Sequence, residues 1–343
     1  MKNKTFVLFV GPSVFMMVLF IAAPLLSVLW QSFHVTQPVY ERVEVETCTP
    51  GLLGSVCTTD LKTRPILDES GKILTETTFV GFQSYRNVLE PGKLKAALKA
   101  GSWHEIMNIR FWSALRFTLF FTILTLPLVL GTGLLIALAV NNTLQRIKGP
   151  LIFVSLLPFI ITPVIGALSI RWLFIGDGIL TAGLEWWLEK DIAMFAQAWT
   201  IELMMYIYRV WHVAPFAFVV FYAGLQTVNN DAVEAAIIDG ATRWQRLRYV
   251  IIPHLMPLVI FLTLIHLMDA YRVFEEIVGF SSSAHVISLQ WLTYEFLLQD
   301  GTGARAISRA SASAILTMIG IAVLLGPPLR RVWRQQGGGS TLV

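Results

Sequence analysis

Six stretches of predominantly apolar residues dominate this sequence: 6–30, 111–140, 149–174, 196–227, 255–278 and 310–329. A run of about 20 such residues matches the hydrocarbon thickness of a bilayer as a helix. Inside that layer the backbone finds no water to bond, so a spanning segment satisfies its N–H and C=O groups internally, as a helix. The chain is therefore expected to be an all-α integral membrane protein with six transmembrane helices. Its 14% of charged residues, against about 25% in soluble domains, agrees. The first run is too long for a signal-peptide core and lacks a small-residue cleavage site, so it is read as retained. Pro158 and Pro163 are expected to bend the third span, provided neighbouring helices satisfy the carbonyls they free. The organisation read from these runs is a first transmembrane helix over 1–33 and a long polar loop or small subdomain over 34–110. A helical core follows over 111–336, then a flexible Gly-rich tail over 337–343.

Lys and Arg near span ends set the sidedness. With the N-terminus in the cytoplasm, the inside segments hold Lys2, Lys4, Arg146, Lys148, Arg243, Arg246, Arg248, Arg330, Arg331 and Arg334. The short outside loops hold mainly Lys190, Arg305 and Arg309, offset by several carboxylates. Both termini are thus expected on the cytoplasmic side. The net charge of +4 belongs to this topology signal and gives no reason to expect nucleic acid. The polar loop, with Cys48 and Cys57, then lies outside the cytoplasm. There the two cysteines are either a disulfide, worth about 2–3 kcal/mol on the chain-entropy account, or two free thiols.

One polar block, 229–256, interrupts the apolar runs on the cytoplasmic side. Asp231 is read as the N-cap of a short helix carrying Ala235 and Ala236, and Gly240 as its C′ glycine. A second amphipathic turn follows with Trp244, Leu247 and Val250 on one face, stopped by Pro253.

Span five carries His266, Asp269, Arg272, Glu275 and Glu276. The three- and four-residue spacings put Asp269, Arg272 and Glu276 on one helix face. Ionisable groups in a span are costly and should face the bundle interior or a wet path. They either line a translocation route or form an ion pair that locks span five to its neighbours, with Glu275 and Glu276 at the outer interface. Glu202 lies near the outer end of span four. Arg209, near its middle, needs a partner, and Asp269 is the geometric candidate. Tyr206, Tyr208, Trp211 and Tyr222 could stack on sugar rings, although packing is the commoner use of such aromatics. The candidate path-lining residues are Asp269, Arg272, Tyr206 and Arg209. The sequence lacks a phosphate-binding G-x-x-x-x-G-K-[ST] loop, H-E-x-x-H, C-x-x-C and G-x-S-x-G, so it signals no enzyme.

Glu234-Ala235-Ala236, Asp239-Gly240-Ala241 and Pro253 together resemble the EAA loop of ABC importer permeases. The resemblance runs along nearly the whole chain. It includes Pro24 with Ser32-Phe33; Phe79-Val80-Gly81-Phe82 with Tyr85, where Ser84 replaces the usual Asn; and Gly131, Gly133 and Ala137. It continues with Pro158, Pro163, Trp172, Phe174 and Gly178-Ile179-Leu180; Trp211 with Pro215-Phe216; Ala223-Gly224-Leu225-Gln226; and Asp269-Ala270-Tyr271 with Val273-Phe274-Glu275. After span five, Val278-Gly279-Phe280-Ser281-Ser282-Ser283 departs from the family's glycine-rich turn.

The maltose and glycerol-3-phosphate type is the most similar class. The resemblance implies a type I ABC importer permease fold in the inner membrane, forming half of a pathway for a sugar, polyol or related carbohydrate. It implies a homologous second permease, two copies of an ATPase subunit that hold ATP and Mg, and a periplasmic solute-binding protein on outer loops 34–109 and 281–309. It assigns ATPase coupling to Glu234, Ala235, Ala236, Asp239, Gly240, Ala241, Arg243 and Pro253. Two rival classes are an ion-coupled secondary transporter, with Asp269, Arg272 and Glu276 as a proton relay, and a non-transporting scaffold. The first would favour paired internal repeats, and the sequence has no convincing one.

Overall fold

The computed structural model describes residues 3–51, 54–67, 71, 73–176, 178–190, 193–298 and 306–337. Among them, five helices are long and apolar enough to cross a membrane: α1 (Phe6–Ser32), α5 (Arg110–Asn141), α9 (Ala198–Leu225), α11 (Arg243–Ala270) and, within α13 (Ile307–Gly337), Ile307–Trp333. The remaining apolar run is split into α6 (Gln145–Ile160) and α7 (Pro163–Phe174), which meet at 93°. The expected bend is therefore a break. Ile161 and Thr162 are both extended, the conformation a following proline imposes on its predecessor, and Pro163 opens the second half with no N–H to offer.

The chain divides into two units, Met1–Pro91 with Thr293–Ile315 and Gly92–Leu292 with Leu316–Val343. In the first, the polar loop carries two antiparallel ribbons that the sequence reading left unassigned. β1 (His34–Pro38) pairs with β4 (Thr75–Phe79), and β2 (Tyr40–Gly51) with β3 (Gly54–Pro65) in a register that sets Cys48 directly across from Cys57. The ribbons are fastened where α1 ends. The Val80 N–H donates to the Phe33 carbonyl at 2.8 Å, and the Ser32 hydroxyl meets the Tyr85 hydroxyl of α2 (Gln83–Leu89) at 2.8 Å. The Phe33 ring packs edge-on against Phe82. Gly81, at φ 55, makes the turn into α2.

In the second unit, α3 (Pro91–Lys99) and α4 (Trp103–Met107) lead into α5. The helix pair α5 and α9 forms the axis of the core, with one buried cluster around Phe117, Phe121, Met205, Tyr208, Ile277 and Phe280 and another around Val129, Ala137, Phe218, Phe221 and Leu255. At Gly133 a Cβ would lie 2.6 Å from that of Ala217 and 2.9 Å from the Phe218 nitrogen, so only glycine lets the two backbones approach. Gly131 has nothing within 4 Å and takes no part in that approach. α8 (Ile179–Leu188) carries Trp186 and Trp187 exposed.

Span five is shorter than its apolar run. α11 ends at Ala270, and the N–H groups of Arg272 and Val273 turn back to the carbonyls of Asp269 and Ala270. The chain then restarts as α12 (Glu275–Gly279). This fold-back buries Tyr271, Val273, Ile277 and Phe280, which a straight helix would spread around its circumference. α12 packs on α7, where a Gly279 Cβ would come within 2.8 Å of the Val164 carbonyl oxygen.

Candidate functional site

The turn after α11 decides the chemistry of the membrane interior. It removes Arg272 from the expected face: the side chain is exposed, and its Nε donates to the Met268 carbonyl at 3.3 Å. Arg209 takes the central place instead. From the middle of α9 its Nη1 donates to Glu276 Oε1 at 2.8 Å and its Nη2 to Asp269 Oδ2. The Phe121 ring lies 5.9 Å from its Cζ. One guanidinium thus bridges carboxylates from α11 and α12, so α9 is tied to both sides of the fold-back. The three groups differ in wetness. Arg209 and Glu276 side chains are 5% and 1% exposed, while Asp269 is 56% exposed. Glu276 is therefore not an interfacial group, as the sequence suggested; burial beside Arg209 replaces water as its stabilising environment.

Asp269 opens onto a cavity of about 310 Å³ whose wall includes Phe159, Arg209, His212, Phe216 and His266. The break in span three borders it. The Tyr208 hydroxyl donates to the Pro163 carbonyl at 2.7 Å, and His212 Nε2 lies 2.9 Å from the Ile161 carbonyl oxygen, which requires that nitrogen to carry the proton. His212 thus satisfies a carbonyl that the broken helix leaves open, and Tyr208 adds a bond to the first residue of α7. His266 Nε2 meets the Thr125 hydroxyl at 2.9 Å. The cavity thus joins an apolar floor to donors and acceptors of both kinds, which suits a neutral hydroxylated solute.

Tyr206 lies elsewhere. Its hydroxyl donates to Glu202 Oε2 at 3.3 Å and its ring packs on Phe117 and Phe121. Glu202 is paired with Arg116 at 2.5 Å and is not simply solvated. Arg116 escaped the sequence reading because its partner is 86 residues away and no local spacing links them.

On the other polar block, α10 (Asn230–Ile238) starts earlier than expected. Asn229 is the N-cap, its side chain accepting from the Asp231 N–H at 2.8 Å. Asp231 sits in the first turn, where its charge complements the helix dipole. The C-terminus is a Schellman closure: the Ala241 N–H reaches the Ala236 carbonyl at 2.9 Å and the Gly240 N–H reaches Ile237 at 3.0 Å, with Gly240 at φ 77. A capping box follows. Gln245 N donates to Thr242 Oγ1 at 3.3 Å, and the Thr242 N–H donates to Gln245 Oε1 at 2.7 Å. The spacing T-x-x-Q was a readable signal for this start.

Pro253 does not end the second helix. α11 runs from Arg243 into the span through a π-turn at Leu247–Ile251, closed by the Ile252 N–H on the Leu247 carbonyl. The wider turn lets the helix pass Pro253, whose ring would clash with a regular preceding turn. Glu234, Ala235, Asp239, Gly240, Arg243 and Pro253 are exposed, and Ala236 and Ala241 half-buried. Beside them stand exposed apolar side chains, Ile238 at 86% and Trp244 at 65%, on an otherwise polar segment. Gly224, at the end of α9, lets Leu255 and Leu258 of α11 close over it.

A sequence profile of the family described as "Binding-protein-dependent transport system inner membrane component" matches residues 100–326. The trehalose transport system permease protein SugA of Mycobacterium tuberculosis is 32% identical over 196 residues, 56% of this chain and 62% of that protein, so the match spans less than two thirds of that relative. The arabinooligosaccharides transport system permease protein AraP of Halalkalibacterium halodurans is 25% identical over 252 residues, 73% of this chain and 74% of that one. Among solved structures, a bacterial ABC transporter involved in the import of the acidic polysaccharide alginate superposes with a TM-score of 0.68 at 18% identity. That likeness covers 97% of this chain and 96% of the other, and establishes a shared fold.

Proposed function

Because this multi-pass chain belongs to the family of binding-protein-dependent transport system inner membrane components, we propose that it forms half of the pathway of an ATP-driven importer for a sugar, polyol or related carbohydrate. A homologous second permease supplies the other half. Two copies of an ATPase subunit hold ATP and Mg, and a periplasmic binding protein docks on outer loops 34–109 and 281–309. Both termini face the cytoplasm.

The observation that carries this reading is the coupling segment. It displays Glu234, Ile238 and Trp244 outward while its second helix is one continuous rod with span five. ATPase closure against the segment would therefore move Asp269 at the far end of α11 and load the Arg209 bridge, switching the cavity's access by rigid-body rocking. Arg209 and Asp269 line the path in this proposal; Tyr206 and Arg272 lie outside the cavity. An ion-coupled transporter would need Asp269, Arg272 and Glu276 in one relay; Arg209 and not Arg272 bridges the two carboxylates, which speaks against that alternative.

The test is to purify the tagged chain in mild detergent and identify what remains bound. Recovery of a second six-span permease and an ATPase, with ATP hydrolysis in that material, is expected. Transport by the lone chain in liposomes without ATP would overturn the reading.

The cross-strand register of Cys48 and Cys57 supports a disulfide between β2 and β3. Alkylation of the unfolded, unreduced protein should leave both cysteines unmodified until reductant is added. Immediate labelling of both would remove the bond from the proposal.

A further inference from the structure

Behind the coupling segment, the ends of α5 and α9 and the facing sides of α10 and α11 enclose a cleft of about 700 Å³. Its polar lining is Asn141, Asn142, Asn230, Arg243 and Arg246, and it contains no carboxylate. Lys148 adds a third cation nearby, its Nζ 3.5 Å from the Asn141 carbonyl oxygen. Asp231, Glu234 and Asp239 are exposed and outside the lining. Among the described residues neither Arg243 nor Arg246 forms an ion pair. The Nε of half-buried Arg246 is shut off from solvent with no hydrogen-bond partner.

Such a cleft is electrostatically incomplete. Two guanidiniums three residues apart on one helix repel, and a buried donor without an acceptor carries its desolvation cost uncompensated. An anion between them would relieve both. The planar donor forks of arginine match the oxygens of a phosphate group in particular. The Asn141 carboxamide oxygen is engaged by Gln226 at 3.0 Å, which leaves its NH₂ as a further donor. The exposed Ile238 and Trp244 are not part of the lining, so an occupant here would not compete with a protein seated on them.

We propose that this cleft is an anion site that takes a phosphate group, from either an anionic membrane phospholipid or a soluble phosphate. Its occupant would brace α10 against α5, a role beyond the transport reading, with which it shares Arg243.

The full-length chain, purified in an uncharged detergent, is analysed by native mass spectrometry for retained phosphatidylglycerol. Its thermal midpoint is then measured in inorganic phosphate against chloride at matched ionic strength. The lipid source predicts phospholipid on the wild type and a roughly tenfold loss in Arg243→Gln/Arg246→Gln, about what losing one charge-assisted pair gives. The control Arg330→Gln/Arg331→Gln, in the basic run after span six, should keep its lipid. The soluble source predicts no retained lipid but a stabilisation by phosphate that the cleft variant loses. Equal loss in the control would mean general charge attraction and overturn the proposal. So would a wild type with neither retained phospholipid nor a phosphate response, a result that stands even where the variant does not fold.

Discussion

Arg209→Leu is expected to lower stability by about 3–5 kcal/mol, the range for removing one partner of a buried ion pair. The cost comes mainly from Glu276. Its side chain is 1% exposed, and Oε2 already lacks a hydrogen-bond partner, so without Arg209 a full negative charge would remain in the protein interior. Asp269, at 56% exposed, can fall back on water. The two carboxylates therefore predict different rescues. Glu276→Gln in the Arg209→Leu background should recover much of the lost stability, because it removes the stranded charge. Asp269→Asn in the same background should recover little. Thermal unfolding in detergent, followed by tryptophan fluorescence, reads all four proteins. An Arg209→Leu protein that melts with the wild type would show that the bridge is not a stabilising element, and equal rescue by both changes would contradict the burial argument.

That cluster also marks where the sequence stopped being readable. The requirement that Arg209 find a partner followed from its position in an apolar run, and Asp269 was nameable as a candidate. Glu276 was not, because a straight helix read through to Val278 sets it four residues from Arg272, and nothing local marks the end of the helix at Ala270. The turn is made by tertiary burial of Tyr271 and Val273, which no local propensity encodes. The break in span three is similar. Thr162 before Pro163 signals an extended residue, but the break also leaves the Ile161 carbonyl without a helical partner, and its donor, His212, is 51 residues on.

Other features were legible and passed over. Val43, Val45 and Thr47 alternate with Glu44 and Glu46, the period of a strand, and they lie in β2. Thr242 and Gln245 have the spacing of a capping box and form one. The proposed coupling segment was readable in part, because its signals are local: the C′ glycine and the two alanines act within one turn, whereas the cap lies at Asn229 and not Asp231, and the helix continues past Pro253.

Gly240→Pro and Glu234→Lys are each expected to cut ATP-dependent uptake about ten- to a hundredfold while leaving the chain folded. Coupling free energies of about 1–3 kcal/mol between sites correspond to that range. Gly240 sits at φ 77 and its N–H bonds the Ile237 carbonyl. Proline can adopt neither feature, so the angle between α10 and α11 must change. A Cβ at this position would meet nothing within 4 Å, which makes the defect one of conformation and not of crowding. Gly240→Ala keeps the N–H and strains only φ, by about 1–2 kcal/mol, and should fall between the wild type and Gly240→Pro. Glu234→Lys leaves the backbone intact and inverts an exposed charge on the docking face, so it should weaken retention of the ATPase as well as uptake. The variants separate two ways of failing: Gly240→Pro should hold the ATPase without transmitting its motion, and Glu234→Lys should lose it. Uptake at the wild-type rate in either variant, measured in cells with equal membrane levels of the protein, would remove the coupling role from this segment.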